Sequence, residues 1–288
     1  MRRTGFNPEY AKEGDKFYNY ALWPYTPVQS LENRLKPSNL LYESLDAAGV
    51  DRRFFDLVSP LRQAIGEFHT VFGVKQQGER TWWEFYFYDY RRRERERSIS
   101  RVLDAIRPLA PSSLMPNENL FYFMFSIDIT EEIFTRGIEE VHLYIGNPGS
   151  SVSSGISYSL TPARTKLENI YFFFDARSQM QDIAAKIACS AHIDTKKINL
   201  NEILHPELRD CKTICVANKQ GNDCVYFAGV GFDSFLYFLR SMHYRANLIS
   251  FLEENRSKLD HLEFDVGFDY RMEEDKLMIL KSGYYGTF

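Results

Sequence analysis

Residues 81–90 read TWWEFYFYDY. Aromatic side chains at this density favour a strand, and side chains on a strand alternate between two faces. One face then carries Trp83, Phe85 and Phe87, and the other Glu84, Tyr86, Tyr88 and Tyr90. The first suits a dry contact with helices. The second is also aromatic, yet every residue on it has an oxygen, where a solvated strand face would carry Lys, Thr and Glu. It reads as the lining of a pocket. A phenol offers a flat apolar body with a polar tip, and ring faces attract cations by about 2 kcal/mol or more when desolvated.

The alternation recurs along the chain. In LFYFMFSIDIT (120–130), Phe121, Phe123, Phe125, Ile127 and Ile129 oppose Tyr122, Met124, Ser126, Asp128 and Thr130. In EEVHLYIG (139–146), Val141, Leu143 and Ile145 oppose Glu140, His142 and Tyr144; in LENIYFFFDA (167–176), Ile170, Phe172 and Phe174 oppose Asn169, Tyr171, Phe173 and Asp175. Residues 70–90 read as strand, turn and strand with Gly78 in the turn, and 212–230 as a hairpin around Gly221-Asn222. Helices are expected over 38–50 (Ser38 as cap), 52–68, 98–109, 178–188 and 232–255. The charged run 91–97 reads as a solvated loop, 147–155 as a Gly/Ser loop, and residues 1–40 as an irregular arm. Hairpins separated by helices give antiparallel pairing with the helices on one side. A long antiparallel sheet does best by closing, which removes its exposed edges. The expected fold is α+β: a closed antiparallel barrel of hairpins with helices outside and a wide polar-aromatic interior.

With 35 basic and 39 acidic residues in 288, the chain has no general attraction for nucleic acid. Its four cysteines lack CxxC pairing and read as buried thiols. No signal-peptide core and no apolar run near the roughly 20 residues of a membrane span is present, so a soluble cytoplasmic monomer is expected. P-loop, GxGxxG, zinc-spacing and nucleophile motifs are absent, Gly229 and Gly231 being too few glycines for a nucleotide loop.

Several of these stretches resemble the ABBA-fold prenyltransferases. FMFSIDIT and EEVHLYIG are similar to the family's third and fourth barrel strands, KLENIYFFFDARSQMQDIAAKI to its sixth strand and following helix, DKLMILKSGYYGTF to its last strand, and WWEFYFYD to the second strand with its acidic residue. The short 147–155 link is closest in pattern to the cyanobactin peptide prenyltransferases, enzymes of ribosomal-peptide natural-product biosynthesis. The resemblance implies one prenyltransferase-type barrel domain over 1–288. It also implies transfer of a dimethylallyl or geranyl group from its diphosphate to a side chain of a cyclic peptide, with Mg²⁺ as cofactor.

Carried onto matching positions, the resemblance makes Glu84 the general base and Lys281, Lys212, Asn169, Tyr171, Tyr144 and Tyr226 the donor contacts. Tyr86, Tyr88, Asp265, Glu140 and His142 become acceptor contacts and Asp128 the metal-adjacent carboxylate. Where some relatives have a fourth-strand lysine this chain has Glu140, so few interior cations are expected. Carboxylates at Glu84, Glu140 and Asp265 would together suit an arginine guanidinium as acceptor. Glu263 and Asp269, sharing the Asp265 face, have a solvated barrel rim as their plainer reading. The alternatives are prenylation of a small indole or phenol, and a barrel that holds an apolar ligand without chemistry. Either the arm or the Tyr284–Phe288 tail could cap a barrel end.

Overall fold

A computed structural model describes residues 6–90, 95–146 and 152–288. Ten strands close into a barrel: β1 (Thr70–Gln77), β2 (Arg80–Tyr88), β3 (Met124–Ile129), β4 (Val141–Gly146), β5 (Ser154–Leu160), β6 (Thr165–Asp175), β7 (Thr213–Lys219), β8 (Asp223–Val230), β9 (Phe264–Glu273) and β10 (Lys276–Thr287). Each pairs antiparallel with its neighbours in sequence, and β10 returns to β1 through Ser282↔Gln76 to Thr287↔Val71. Helices α1 (Ser38–Ala48), α2 (Arg53–Asp56), α3 (Val58–Ile65), α4 (Ile99–Ile106), α5 (Met180–Ala188), α6 (Phe232–Ser241), α7 (Ala246–Glu254) and α8 (Arg256–Leu259) pack outside. This is the closed antiparallel barrel with helices outside that the strand patterns predict, and it matches the ABBA architecture that the resemblance implies.

The main apolar core is a ring between barrel and helices. Trp83, Phe85 and Phe87 point into it, with the Trp83 indole donating to Ser44 Oγ of α1 at 2.8 Å. From α6, Phe235 stacks on Phe264 of β9 with centroids 4.2 Å apart. The α4 cap is Ser98, and Ile99, Val102, Leu103 and Ile106 form its buried face. A second cluster, Val71, Tyr86, Tyr88, Met124 and Tyr285, lies inside the barrel.

Local departures from the expected pattern have local causes. Pro37 precedes α1, while the Ser38 hydroxyl donates to Glu9 at 2.5 Å, so Ser38 is the first helical residue rather than the cap. His243, at φ 56°, breaks 232–255 into α6 and α7. The chain reaches regular strand geometry only at Met124, so Tyr122 is buried in the outer core while Phe121 is exposed and Phe123 lines the interior. Cys211, Cys215 and Cys224 are buried thiols, but Cys189, at the end of α5, is exposed. The arm contains one short ribbon, Phe17–Tyr18 paired with Pro24–Tyr25. Phe288 tucks against Phe85 in the outer core instead of covering a barrel end. Residues 91–94 of the charged 91–97 run and 147–151 of the 147–155 link lie outside the described residues. No helix among the described residues is long and apolar enough to cross a membrane.

Candidate active site

The inward residues sort by height along the barrel axis. On β2, Trp82 and Glu84 line a polar chamber of about 360 Å³, and Tyr88 lines an apolar one of about 450 Å³, with Tyr86 between them bordering both. The neighbouring strands repeat the gradient: Asp128 to Met124 on β3, His142 to Gly146 on β4, Lys219 to Cys215 on β7, and Lys281 to Tyr285 on β10. Tyr86, Tyr144, Tyr171 and Tyr226 border both chambers and form a collar between them. With Tyr285 they make a continuous series of rings, Tyr171–Tyr144–Tyr86–Tyr285–Tyr226, with successive centroids 5.9–6.4 Å apart. Burial pushes the Tyr86, Tyr144, Tyr226 and Tyr285 phenols well above their ordinary range, so they are neutral near pH 7.

Beside the expected Lys281, the polar chamber is lined by Lys75, which is buried, by the partly buried Lys219, and by Lys166, which is exposed at its edge. Lys75 on β1 crosses Gly73 and Gly283; a Cβ on either would come within 3.2 and 3.1 Å of its methylenes, so the two glycines are what let the stem lie there. Its ammonium donates to Tyr86 Oη at 2.9 Å and Tyr285 Oη at 2.6 Å, and lies 4.5 Å from the Tyr285 ring centroid. Lys219 donates to both oxygens of Asp269, at 2.8 and 2.9 Å, while Lys281 stands 3.5 Å away. Burial opposes charge on both members, but each outweighs it for the other: Asp269 is held well below the carboxylate range and Lys219 above the usual lysine value. Asp269 is therefore an interior ion-pair partner, not a solvated rim residue.

Glu84 is largely buried at the polar side of the collar, its side chain 12% exposed to the polar chamber. It accepts from Tyr86 Oη at 2.6 Å and from the Ser126 hydroxyl, and Lys75 Nζ is 3.4 Å away. Burial alone would raise its pKa. Lys75, His142 and the Ser126 and Tyr86 hydrogen bonds outweigh that and hold the carboxyl at about 2. His142 sits among acids, Nδ1 being 2.8 Å from Glu168 Oε2 and Nε2 3.6 Å from Asp128 Oδ2. Burial would lower its pKa, but the adjacent carboxylates of Asp128, Glu168 and Glu84 push it well above the ordinary value. Glu140, His142 and Glu168 each bring one ligand atom within 4.8 Å of the others, a set that could hold a divalent cation. Glu140 lies at the exposed edge, held by the Ser159 hydroxyl.

The other sequence-nominated residues separate. Asn169 donates to Tyr171 Oη at 2.9 Å within the polar chamber. Lys212 precedes β7, at the opposite end of that strand from Lys219, where it pairs with Glu263 at 2.6 Å and does not meet Lys281. Asp265 is buried at that same far end, its oxygens accepting from Tyr20 N at 2.6 Å and Gly229 N at 2.9 Å. Gly229 is an extra residue of β8 between Ala228↔Asp265 and Val230↔Phe264, and this bulge aims its N–H at the carboxylate. Burial, only partly offset by those two bonds, raises Asp265 to about 7. Glu84, Glu140 and Asp265 therefore do not form one acidic pocket.

Lys75, Lys166, Lys219, Glu168 and Tyr285 escaped the sequence reading. Continuing the alternation of Val71 and Gly73 would have placed Lys75 inward, and Cys215 and Ala217 would have done the same for Lys219. No such signal exists for Glu168: it is the extra residue between Ser157↔Asn169 and Tyr158↔Leu167, and this bulge turns both Glu168 and Asn169 inward. No protein-family profile matches the chain, and a search of curated proteins finds no relative.

Proposed function

We propose that the barrel transfers a prenyl group, dimethylallyl or geranyl, from its diphosphate to a side chain of a peptide. The observation that carries this reading is the stacking of a lysine-lined chamber on a phenol-lined one, joined by a neutral tyrosine collar with a carboxylate beside it. A diphosphate needs several positive charges; Lys75, Lys166, Lys219 and Lys281 offer them against Glu84, Asp128, Glu168 and Asp269 of the same chamber, so a divalent cation would supply the balance. The C–O bond to the diphosphate breaks, the electron pair leaves with the phosphate oxygen, and the allyl cation faces the collar rings. Those rings already attract the Lys75 ammonium, which supports their ability to shelter a second cation from water.

An acceptor ring entering from the phenol chamber attacks the cation, and the resulting cationic adduct loses a proton to Glu84. That adduct is strongly acidic, so a carboxylate of low pKa suffices as base. A bound diphosphate also competes for Lys75, which raises the basicity of Glu84 when it is needed. Mg²⁺ prefers oxygen ligands and retains waters. The half-exposed Asp128 carboxylate at the polar chamber fits that preference, and the ion would add positive charge against the leaving group.

An arginine acceptor loses its support with the dispersal of Glu84, Glu140 and Asp265, so a flat aromatic side chain is the better fit. The test is incubation with dimethylallyl diphosphate, Mg²⁺ and short cyclic peptides bearing Arg, Tyr, Trp or His, read by mass. One added prenyl unit on one peptide, lost in Glu84→Gln, supports the reading. No adduct and no calorimetric binding of C5 or C10 diphosphate would leave a ligand-holding barrel.

A further inference from the structure

Part of the wall of the phenol chamber is supplied by the arm of the chain itself. Residues Asn19 to Trp23 form the tip of the arm's ribbon, and the tip is organised internally: Asn19 Oδ1 accepts from Ala21 N at 2.9 Å and Trp23 N at 3.0 Å, and Asn19 N donates to Trp23 O at 3.1 Å. Leu22 takes φ 54° to close the turn. What the barrel contributes is directed at main chain. Asp265 accepts from Tyr20 N at 2.6 Å, Tyr88 Oη donates to Tyr20 O at 2.6 Å, and Tyr90 Oη donates to Ala21 O at 2.6 Å. The side chain that stacks on the collar is Tyr20, 6.3 Å and 17° from Tyr226 and 5.8 Å from Tyr285, while Leu22 packs on the interior cluster and Trp23 lines the chamber.

We propose that this part of the chamber is a binding site for a tight peptide turn carrying an aromatic side chain, and that the arm tip occupies it as a built-in competitor. One acceptor and two donors are spaced for an N–H and two successive carbonyls, which every peptide offers, so the site reads backbone geometry and a ring rather than a sequence. Without the arm the buried Asp265 would keep only the Gly229 N–H, leaving its second oxygen without the donor that a buried carboxylate favours; the arm supplies that donor, and a bound peptide turn supplies the same group. A tethered competitor acts at an effective concentration that reaches the millimolar range for short flexible tethers. A peptide ligand therefore binds only as far as it displaces the tip. The link to an acceptor rests on the prenyl-transfer reading; the peptide site does not.

The probe is a head-to-tail cyclised, fluorophore-tagged copy of residues 17–25, titrated by anisotropy into the full chain. Tyr20→Ala in the protein removes the competing ring and should tighten the probe at least about ten-fold over wild type. Adding Tyr88→Phe should reverse most of that gain, and a probe with Ala in place of its Tyr20 should bind neither protein. Folding of each variant is checked by its thermal transition. In unaltered protein, saturating probe should lower the hydrogen-exchange protection of the Tyr20 amide. Equal binding to wild type and Tyr20→Ala, no binding to folded Tyr20→Ala, or unchanged Tyr20 protection each overturns the proposal. Pyrophosphate calorimetry on the same samples separates the two readings: no pyrophosphate binding with the probe effects intact removes the transfer chemistry and leaves the peptide site, and the reverse removes only the site.

Discussion

Glu84→Gln should change acid stability by an amount that follows from the carboxylate's surroundings. Its folded-state pKa, about 2, lies below the ordinary 4.5 because Lys75, His142, Ser126 and Tyr86 favour the charged form over the desolvation that opposes it. The unfolded chain therefore takes up a proton first as pH falls. The stabilisation is fully present above about pH 4.5 and is lost as pH drops through about 2. At about 1.4 kcal/mol per pH unit the full effect is on the order of 3 kcal/mol, of which about 2 is gone by pH 3. Gln keeps an acceptor for one hydroxyl and removes the charge, leaving Lys75 with only the Tyr86 and Tyr285 phenols. Urea unfolding at a series of pH values should show Glu84→Gln about 3 kcal/mol less stable than wild type at pH 6, the gap narrowing to about 1 kcal/mol at pH 3. A gap that stays constant over this range would mean that Glu84 is not held as an anion against Lys75, and would remove it as a base ready in the resting protein. In the transfer assay the same variant should lose about 10²–10⁴-fold in rate with donor binding retained.

Asp265 acts with the opposite sign. Its raised pKa, about 7, lets the native state hold a proton that the unfolded chain has released, so its contribution to stability falls as pH climbs from about 4 to 7; Asp265→Asn should flatten that limb of the urea stability–pH profile. Gly267→Ala would place a Cβ 2.5 Å from Tyr226 Cδ1 and 2.8 Å from Val225 O, costing about 1–3 kcal/mol and displacing a collar ring, both readable by urea titration and by donor affinity. Trp83→Ala, at a fully buried site with an indole bond to Ser44, should cost about 3–5 kcal/mol in the same titration with no effect specific to diphosphate. Because one ligand is imidazole, the Glu140–His142–Glu168 set should bind Mn²⁺ or Zn²⁺ more tightly than Mg²⁺ by calorimetry; equal weak binding in wild type and His142→Asn would dismiss it as a metal site.

The faces of individual strands were legible because alternation is a property of the local backbone. Trp83, Phe85 and Phe87 outward with Glu84, Tyr86 and Tyr88 inward follow from one stretch of ten residues, and the inward Ser126 and Asp128 and the inward His142 and Tyr144 follow from the same alternation in theirs. Repetition of that pattern between helices was enough for the closed barrel. Height along the axis was not legible, because it depends on how distant strands are registered. Pairing sets Lys75 beside Trp82 and so within reach of Glu84, and Asp269 opposite Lys281; it also sends Lys212 and Asp265 to the far end, where the arm returns. The bulges at Glu168 and Gly229 add a residue to one strand and break the period that sequence reading relies on. Sequence by itself determined which face of each regular, unbulged strand stretch points inward. Tertiary structure alone decided which inward side chains share a chamber, because register, bulges and closure are set by contacts between residues far apart in the chain.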